Sequence, residues 1–461
     1  MDKLCNIKNI YMIGIGGASM SALAIALKNF GYTVVGSDRA KGEYTDLLQK
    51  NNIEIYYTQN FEKIAECDCV VYNAAIAANH AEYLYAKSNL IPLIPRAEIL
   101  QCLINQFKNS IAVAGCHGKS STSAMIMHML QACTHNASMH IGAKDKVYNN
   151  FYFGGKEFFV TEACEYKQNF LALYPDVAVI LNTDNDHMEC YTNTESLQKS
   201  YMQFAKQAKY VIVYDKDILR ESLMPDYTFG FSDSADICAK NIYTKGGKSS
   251  FKLVVQGEEI GRVHLKVYGK FAIQHALATF AVAKLYNLNM QTAINAVENF
   301  TGIARRMEVL QADKCVQVIA DYAHHPTEVM ASIQTVKKIA KGRLHILFQP
   351  HTYSRTIYFF DEFVKILGQE EHVVLFKTFS ARERYRKKGS AKTLANFLKT
   401  IQKDVLYIET ERQLVEYYKN TIEKGDTLLC LGAGNIYMLV QNMLRKIQKS
   451  SKDKKQNKTS K

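Results

Sequence analysis

The chain has no membrane-length apolar run, no signal-peptide core and no repeating cysteine spacing. Its longest lightly charged stretch, Thr427 to Leu444, is interrupted by Gly432, Gly434, Asn435 and Gln441, which suits strand, turn and helix better than a bilayer span. The first residues, Met1-Asp2-Lys3-Leu4-Cys5-Asn6, are charged and polar, unlike a secretory leader. The 11 cysteines are scattered, and the one close pair, Cys67 and Cys69, is too tight for a usual zinc or redox motif. Reduced thiols in a cytoplasmic, soluble protein without membrane insertion are expected. Excess acid is lacking too: the formal charge is +13. Much of that excess is terminal, because residues 446–461 hold seven Lys against one Asp, a run expected to form a solvated tail. The rest suits anionic small substrates, so no nucleic-acid partner is expected.

What is present is a globular composition, 48% hydrophobic and 22% charged, over 461 residues. That length holds about three domains of ordinary size. The most informative stretch is Gly115-Cys116-His117-Gly118-Lys119-Ser120-Ser121-Thr122. The apolar run Ser110–Ala114 enters it and a helical pattern from Ser123 leaves it. Strand, glycine-flanked turn, Lys-Ser and helix together build a phosphate cradle. Backbone N–H groups and the helix dipole favour an anion, the Lys adds a positive charge, and Ser120 offers a hydroxyl to a nucleotide-borne Mg²⁺. The strict P-loop pattern places Gly where Val113 stands, so an ordinary glycine-rich turn is the competing reading.

Two further glycine turns flank this one. Near the N-terminus, the strand Asn9–Ile13 runs into Gly14-Ile15-Gly16-Gly17-Ala18-Ser19-Met20 and an Ala-rich helix, and a second strand ends at Ser37-Asp38. The pattern partly fits a dinucleotide fingerprint, with Asp38 placed to meet a ribose or similar hydroxyl, but Ser19 replaces its third glycine. A nicotinamide-dependent oxidoreductase and a plain tight turn both stay open on this segment alone. Near the C-terminus, the strand Thr427–Leu431 leads into Gly432-Ala433-Gly434. Alternating strands and helices predict an α/β fold of three domains: an N-terminal Rossmann-like domain (1–107), a central P-loop ATPase-like domain with a mostly parallel sheet (108–302) and a C-terminal Rossmann-like domain (303–447), followed by a Lys-rich tail (448–461).

Four constellations follow predicted strands, where open α/β sheets place their sites. Thr161-Glu162-Ala163-Cys164-Glu165 and Asn182-Thr183-Asp184-Asn185-Asp186-His187 offer a carboxylate and an imidazole suited to Mg²⁺ or Mn²⁺. Arg305-Arg306-Met307-Glu308 places paired guanidinium groups at a predicted domain boundary, where one is suited to neutralise a phosphoryl group in flight. The pair Asp321-Tyr322-Ala323-His324-His325-Pro326-Thr327-Glu328 and Phe348-Gln349-Pro350-His351-Thr352-Tyr353-Ser354-Arg355 concentrates His, Tyr and charge in two strand-end turns. The double His lacks the i, i+4 spacing of a helical zinc site.

Taken together from Asn9 to Ile436, these motifs resemble the Mur ligases of peptidoglycan synthesis. The carriers are Gly14 to Ser21, His117-Gly118-Lys119-Ser120, Asp186-His187-Met188, Arg305 to Glu308, Tyr322 to Glu328, Phe348 to Arg355 and Gly432 to Gly434. The middle turn belongs to the whole superfamily. The His-His-Pro-Thr-Glu and Phe-Gln-Pro-His segments are more specific, and resemble those of the branch that joins L-alanine to UDP-N-acetylmuramate by way of an acyl phosphate, shared chiefly with a relative that adds a tripeptide in wall recycling.

The resemblance implies that Gly14, Gly16, Gly17, Ala18, Ser19, Met20 and Asp38 hold the UDP-sugar. It implies that Gly115, His117, Gly118, Lys119, Ser120 and Ser121 hold the phosphates of ATP, with Asp321 at its ribose. Ser120, Glu162 and His187 would surround Mg²⁺. Tyr322, His324, His351 and Arg355 would line the acceptor cleft, and Lys119 and Arg306 would stabilise the shifting phosphoryl charge. Relatives commonly carry Asn where this chain has Ala272 and His275, which implies altered nucleotide affinity. A recycling ligase that adds a tripeptide to the same sugar nucleotide, and a catalytically silent UDP-sugar-binding regulator, are the alternatives. Self-association as a homo-oligomer is left open by the sequence.

Overall fold

The computed structural model describes residues 4, 6–184, 188, 190–312, 316–381, 383–401 and 404–459, with 312 and 450–459 given by backbone alone. Three β-sheets organise the chain into three α/β domains. The first sheet has the spatial order Glu54–Tyr56, Thr33–Ser37, Asn9–Ile13, Cys69–Tyr72, Leu93–Pro95, and every neighbouring pair is parallel. Its central strand buries Ile10, Tyr11, Met12 and Ile13 almost completely, as expected where helices cover both faces. The strand order reverses beside Asn9–Ile13, so the turn after that strand lies at the sheet's topological switch point.

The central sheet has ten strands. Its core places Val177–Ile180, Asn109–Ala114, Phe158–Ala163 and Ala137–Asp145 side by side and parallel. Thus the chain leaves Asn109–Ala114 between the ends of Val177–Ile180 and Phe158–Ala163. The sheet closes on one side with the antiparallel strand Asn149–Tyr152, a hairpin that the sequence pattern did not reveal. Thr161 and Glu162, expected just beyond a strand, are its last residues but one and two, because the strand runs on to Ala163.

The third sheet has the order Glu308–Ala312, Gln317–Asp321, Thr427–Leu431, Leu344–Phe348, His372–Phe376, Val405–Ile408. All its pairs are parallel except the first. Three strands that are neighbours in space, Gln317–Asp321, Thr427–Leu431 and Leu344–Phe348, therefore deliver the three motif-bearing turns to one edge. The last helix, Ile436–Thr459, continues through the Lys-rich run. Contacts divide the chain into two compact units. One holds the first two sheets, and the other holds the third sheet with residues 244–248 and 267–270. None of the helices among the described residues is long and apolar enough to cross a membrane.

Candidate active site

The phosphate turn is built by the strand Asn109–Ala114 and the helix Lys119–Thr134. Gly118 caps that helix with φ +87°, a left-handed conformation that suits glycine. A Cβ there would also lie 2.6 Å from Nε2 of His275, so the imidazole sits directly against the turn. Asn182, just past Val177–Ile180, braces the loop from the other side. Its amide oxygen accepts from the His117 N–H at 3.0 Å, and its NH₂ donates to the His117 carbonyl at 3.0 Å. The His117 ring meets Asp184 at 3.3 Å. Ser120 is buried and Ser121 is partly buried on the first turn of the helix.

Lys119 is held firmly. Its ammonium donates to the Gly115 carbonyl at 2.5 Å and to both oxygens of Glu165 at 3.0 and 2.9 Å. Glu165 is fully buried, and its carbonyl accepts from the Tyr191 hydroxyl at 2.5 Å. Burial works against the charge on Lys119, but the carboxylate beside it outweighs that and keeps the group above its ordinary value. The strand Phe158–Ala163 leads to Glu165, which is why a residue 46 positions away reaches the turn.

The first turn has its own bracing in the same unit. Asp38 accepts from the Gly16 N–H at 2.9 Å, and a side chain at Gly16 would meet that carboxylate at 2.8 Å. Gly14, Gly16 and Gly17 lead into the helix Ala18–Asn29, which carries Ser19 and Met20 in its first turn. The Ala18 carbonyl accepts from Asn150 at 2.7 Å. The Ser19 hydroxyl lies 2.9 Å from Arg96 and 3.1 Å from His140. Ser19 is thereby engaged by protein groups through its side chain. Glu162 accepts from the Gly142 N–H through one carboxylate oxygen at 2.8 Å. His187 lies outside the described residues.

In the second unit, Arg305 and Arg306 separate in role. Arg305 has φ +64° and donates to the Gly434 carbonyl at 2.7 Å, tying the segment before Glu308–Ala312 to the unit's last glycine turn. Arg306 lies over the Tyr322 ring and donates to Glu328 at 3.4 Å. Glu328 also accepts from the His324 backbone at 3.2 Å. Asp321 ends its strand buried, with one oxygen accepting from the Ser332 hydroxyl at 2.7 Å. Burial pushes its carboxyl up to about 6, against the lowering effects of Arg306 and Ser332. His324 and His351 face each other edge to face, 5.7 Å between ring centres. Arg355 reaches back to Nδ1 of His351 at 3.1 Å. His325 is buried as the cap of the helix Pro326–Lys337, accepting from the Thr327 N–H and packing on Phe359. Tyr322, His324, His351 and Arg355 thus form one cluster, with Asp321 and Arg306 beside Tyr322.

Comparison with known proteins decides the family. Residues 9–108 match the Mur ligase family catalytic domain, 113–283 the Mur ligase middle domain, and 305–434 the Mur ligase glutamate ligase domain. The chain belongs to the Mur ligase family. This Mur ligase is 35% identical over 448 residues to the UDP-N-acetylmuramate–L-alanine ligase of Clostridium beijerinckii, covering 95% of this chain and 98% of that protein. It is 36% identical over 452 residues to the same-named protein of Caldanaerobacter subterraneus, covering 96% and 98%. Its fold matches the solved UDP-N-acetylmuramate-alanine ligase of Thermotoga maritima with TM-score 0.85 and 24% identity, over 96% of this chain and 100% of that one. A murein peptide ligase from Psychrobacter arcticus matches with TM-score 0.72 and 20% identity, over 95% and 98%. A Mur ligase that spans all three domains leaves the oxidoreductase reading of the first turn without support.

Sequence reasoning missed Arg96 and His140, since neither stands in a recognisable motif of its own; Asn182 and Glu165 lie inside segments it named, but their bracing of the phosphate turn was not read there. His275 was singled out, and its position against Gly118 gives it physical meaning. Ala272, one turn earlier on the helix Lys270–Leu285, is buried. The double substitution Ala272→Asn and His275→Asn is expected to lower KM for ATP about tenfold and leave kcat within twofold, since each neutral hydrogen bond is worth about 0.5–1.5 kcal/mol. Steady-state kinetics with ATP varied is the check; an unchanged KM would remove both positions from the nucleotide site.

Proposed function

We infer that this Mur ligase joins L-alanine to the carboxylate of UDP-N-acetylmuramate, with ATP converted to ADP and phosphate, in peptidoglycan precursor synthesis. The observation that carries the reading is similarity along nearly the whole chain to proteins of that name. The sugar-nucleotide carboxylate attacks the γ-phosphorus of ATP, which gives an acyl phosphate and ADP. The amine of L-alanine then attacks the acyl carbon, an amide forms, and phosphate leaves with the acyl C–O bond broken. Such chemistry asks the protein for positioning and charge neutralisation more than for covalent participation. Dependence on ATP and a UDP-linked precursor makes the cytoplasm its place of work.

The assignments follow domain by domain. Residues 1–107 would bind the UDP-sugar at the Gly14–Met20 turn and Asp38. Residues 108–302 would bind ATP phosphates at Gly115–Ser121, with Lys119 countering the charge that moves between oxygens. In residues 303–447, Asp321 would take the ribose, Arg306 the phosphoryl charge, and Tyr322, His324, His351 and Arg355 the acceptor. Mg²⁺ would be held by Ser120, Glu162 and His187. The buried Ser120 hydroxyl and the Glu162 oxygen left over from the Gly142 contact are the hard donors this ion prefers. It would supply charge neutralisation for the transferred phosphoryl group.

Phosphate release with ATP and UDP-N-acetylmuramate, scanned over L-alanine, glycine, L-serine and a tripeptide, tests the reaction. L-Alanine is expected to give the highest kcat/KM; a tripeptide preference would move the chain to the recycling branch, and silence with every acceptor to a binding role. Glu162→Gln is expected to raise the Mg²⁺ concentration for half-maximal rate by about tenfold, because a neutral amide is a poorer ligand for a hard cation. An unchanged Mg²⁺ titration with a displaced pH profile would reassign Glu162 to acid–base work.

A further inference from the structure

Arg96 opens the helix Arg96–Ile104 directly after the strand Leu93–Pro95, at the same end of the first sheet as the Gly14–Met20 turn. Its NH1 donates to the Ser19 hydroxyl at 2.9 Å. A guanidinium carries five donors, and no carboxylate stands within ion-pair distance of this one among the described residues. Burial pulls it below the ordinary arginine value, with Cys164 and Glu162 acting from farther away in the opposite sense. Arg96 is only partly buried, so the donors that Ser19 does not use stay open to a ligand arriving at the turn.

The group is also held in place by more than packing. Ser19 lies 3.1 Å from Nε2 of His140, and Nδ1 of that ring lies 3.0 Å from the Thr161 hydroxyl. His140 is buried, and desolvation followed by the charge of Arg96 brings it down to about 4, so it is neutral at working pH. Nε2 also lies 3.1 Å from the Ser19 carbonyl, which can only accept, so a neutral ring donates there through Nε2 and accepts from the Thr161 hydroxyl through Nδ1. The Ser19 hydroxyl oxygen accepts from Arg96, and the contacts Arg96–Ser19–His140–Thr161 run on from the first sheet to the central one. Thr161 precedes Glu162. Arg96 is therefore braced by both the first and the central sheet.

We propose that Arg96 is a substrate ligand, taking an anionic oxygen of the sugar nucleotide at the mouth of the Gly14–Met20 turn, with Ser19 and His140 as its positioning residues. The proposal rests on the sugar-nucleotide reading above. Two anions of that substrate share the chemistry, the diphosphate and the carboxylate. Binding to the full chain by calorimetry separates them, using UDP-N-acetylmuramate and UDP-N-acetylglucosamine, which has the diphosphate and no lactyl carboxylate. Arg96→Gln is expected to weaken UDP-N-acetylmuramate roughly 10- to 100-fold, the usual loss for a charged hydrogen bond, with KM for ATP unchanged. An equal loss for both nucleotides assigns Arg96 to the diphosphate; a loss confined to the muramate assigns it to the carboxylate. Arg96→Lys keeps the charge without the fork and is expected to bind with intermediate affinity. Parental affinity for both nucleotides in either variant overturns the proposal, also where Arg96→Gln fails to fold. A parent protein that binds neither nucleotide would instead overturn the functional reading itself.

Discussion

Replacing Lys119 with alanine is expected to abolish turnover while UDP-sugar binding stays near the parental value. The ammonium lies on the phosphate turn of the central sheet, whereas the glycine turn assigned to the sugar nucleotide belongs to the first. Loss of a buried charge contact of this kind costs about 3–5 kcal/mol, several hundredfold or more in rate. The same substitution strands the Glu165 carboxylate, which is wholly buried and engages Lys119 through both oxygens. A drop in melting temperature is therefore expected alongside the lost activity. Adding Glu165→Gln removes the stranded charge, so the double variant is expected to recover stability and stay inactive. Phosphate-release assays and thermal melts of the three variants check this. Turnover within tenfold of the parent in Lys119→Ala would remove Lys119 from the phosphoryl chemistry.

Asp321 is expected to make stability fall as pH rises. Its folded-state carboxyl titrates near 6 against an ordinary 3.8, chiefly because it is buried. Well below 3.8 the acid is protonated whether the chain is folded or not, and folding gains or loses nothing from it. Between the two values the unfolded chain has released its proton while the folded chain keeps it, so each step upward in pH favours unfolding. Above about pH 6 the full cost is present, about 3 kcal/mol for a lift of this size. Asp321→Asn keeps an oxygen for the Ser332 hydroxyl and carries no charge to desolvate. The variant is expected to melt higher than the parent at pH 8 and level with it near pH 3. If the melting difference is the same at both pH values, the carboxyl is not titrating in this range. ATP affinity is expected to fall in the variant at pH 8, since the carboxylate assigned to the ribose is gone.

The legible parts of the fold share a physical cause. Leu344–Phe348 and Thr427–Leu431 are mostly apolar runs, broken only by His345 and opened by Thr427, and the strands observed have those bounds. Buried parallel strands need side chains apolar on both faces, so they stand out without alternation. The hairpin 137–152 did not stand out, because Ser138, His140, Asp145 and Asn150 are polar yet buried. Each has a hydrogen-bond partner well away in the chain, Gly155, Thr161, His128 and Ala18 in turn, and a local window holds no trace of that. The phosphate turn was legible because strand, glycine, lysine and helix are contiguous. Its bracing by Asn182 and Glu165 was not, since both partners arrive from other strands.

From the amino-acid order alone came the α/β class, the glycine turns, and the residue types needed to hold phosphate, metal and acceptor, because each of these is written in a short contiguous segment. Only the tertiary structure decided what those segments meet. It placed Glu165 on Lys119, His275 against Gly118 and Arg96 on Ser19, across separations of 46, 157 and 77 residues. It also divided the paired arginines, turning Arg305 inward to the Gly434 carbonyl and Arg306 toward Glu328. The reason is the order of strands in each sheet. Strand order follows from how helices cover the two faces, and it determines which turns share an edge.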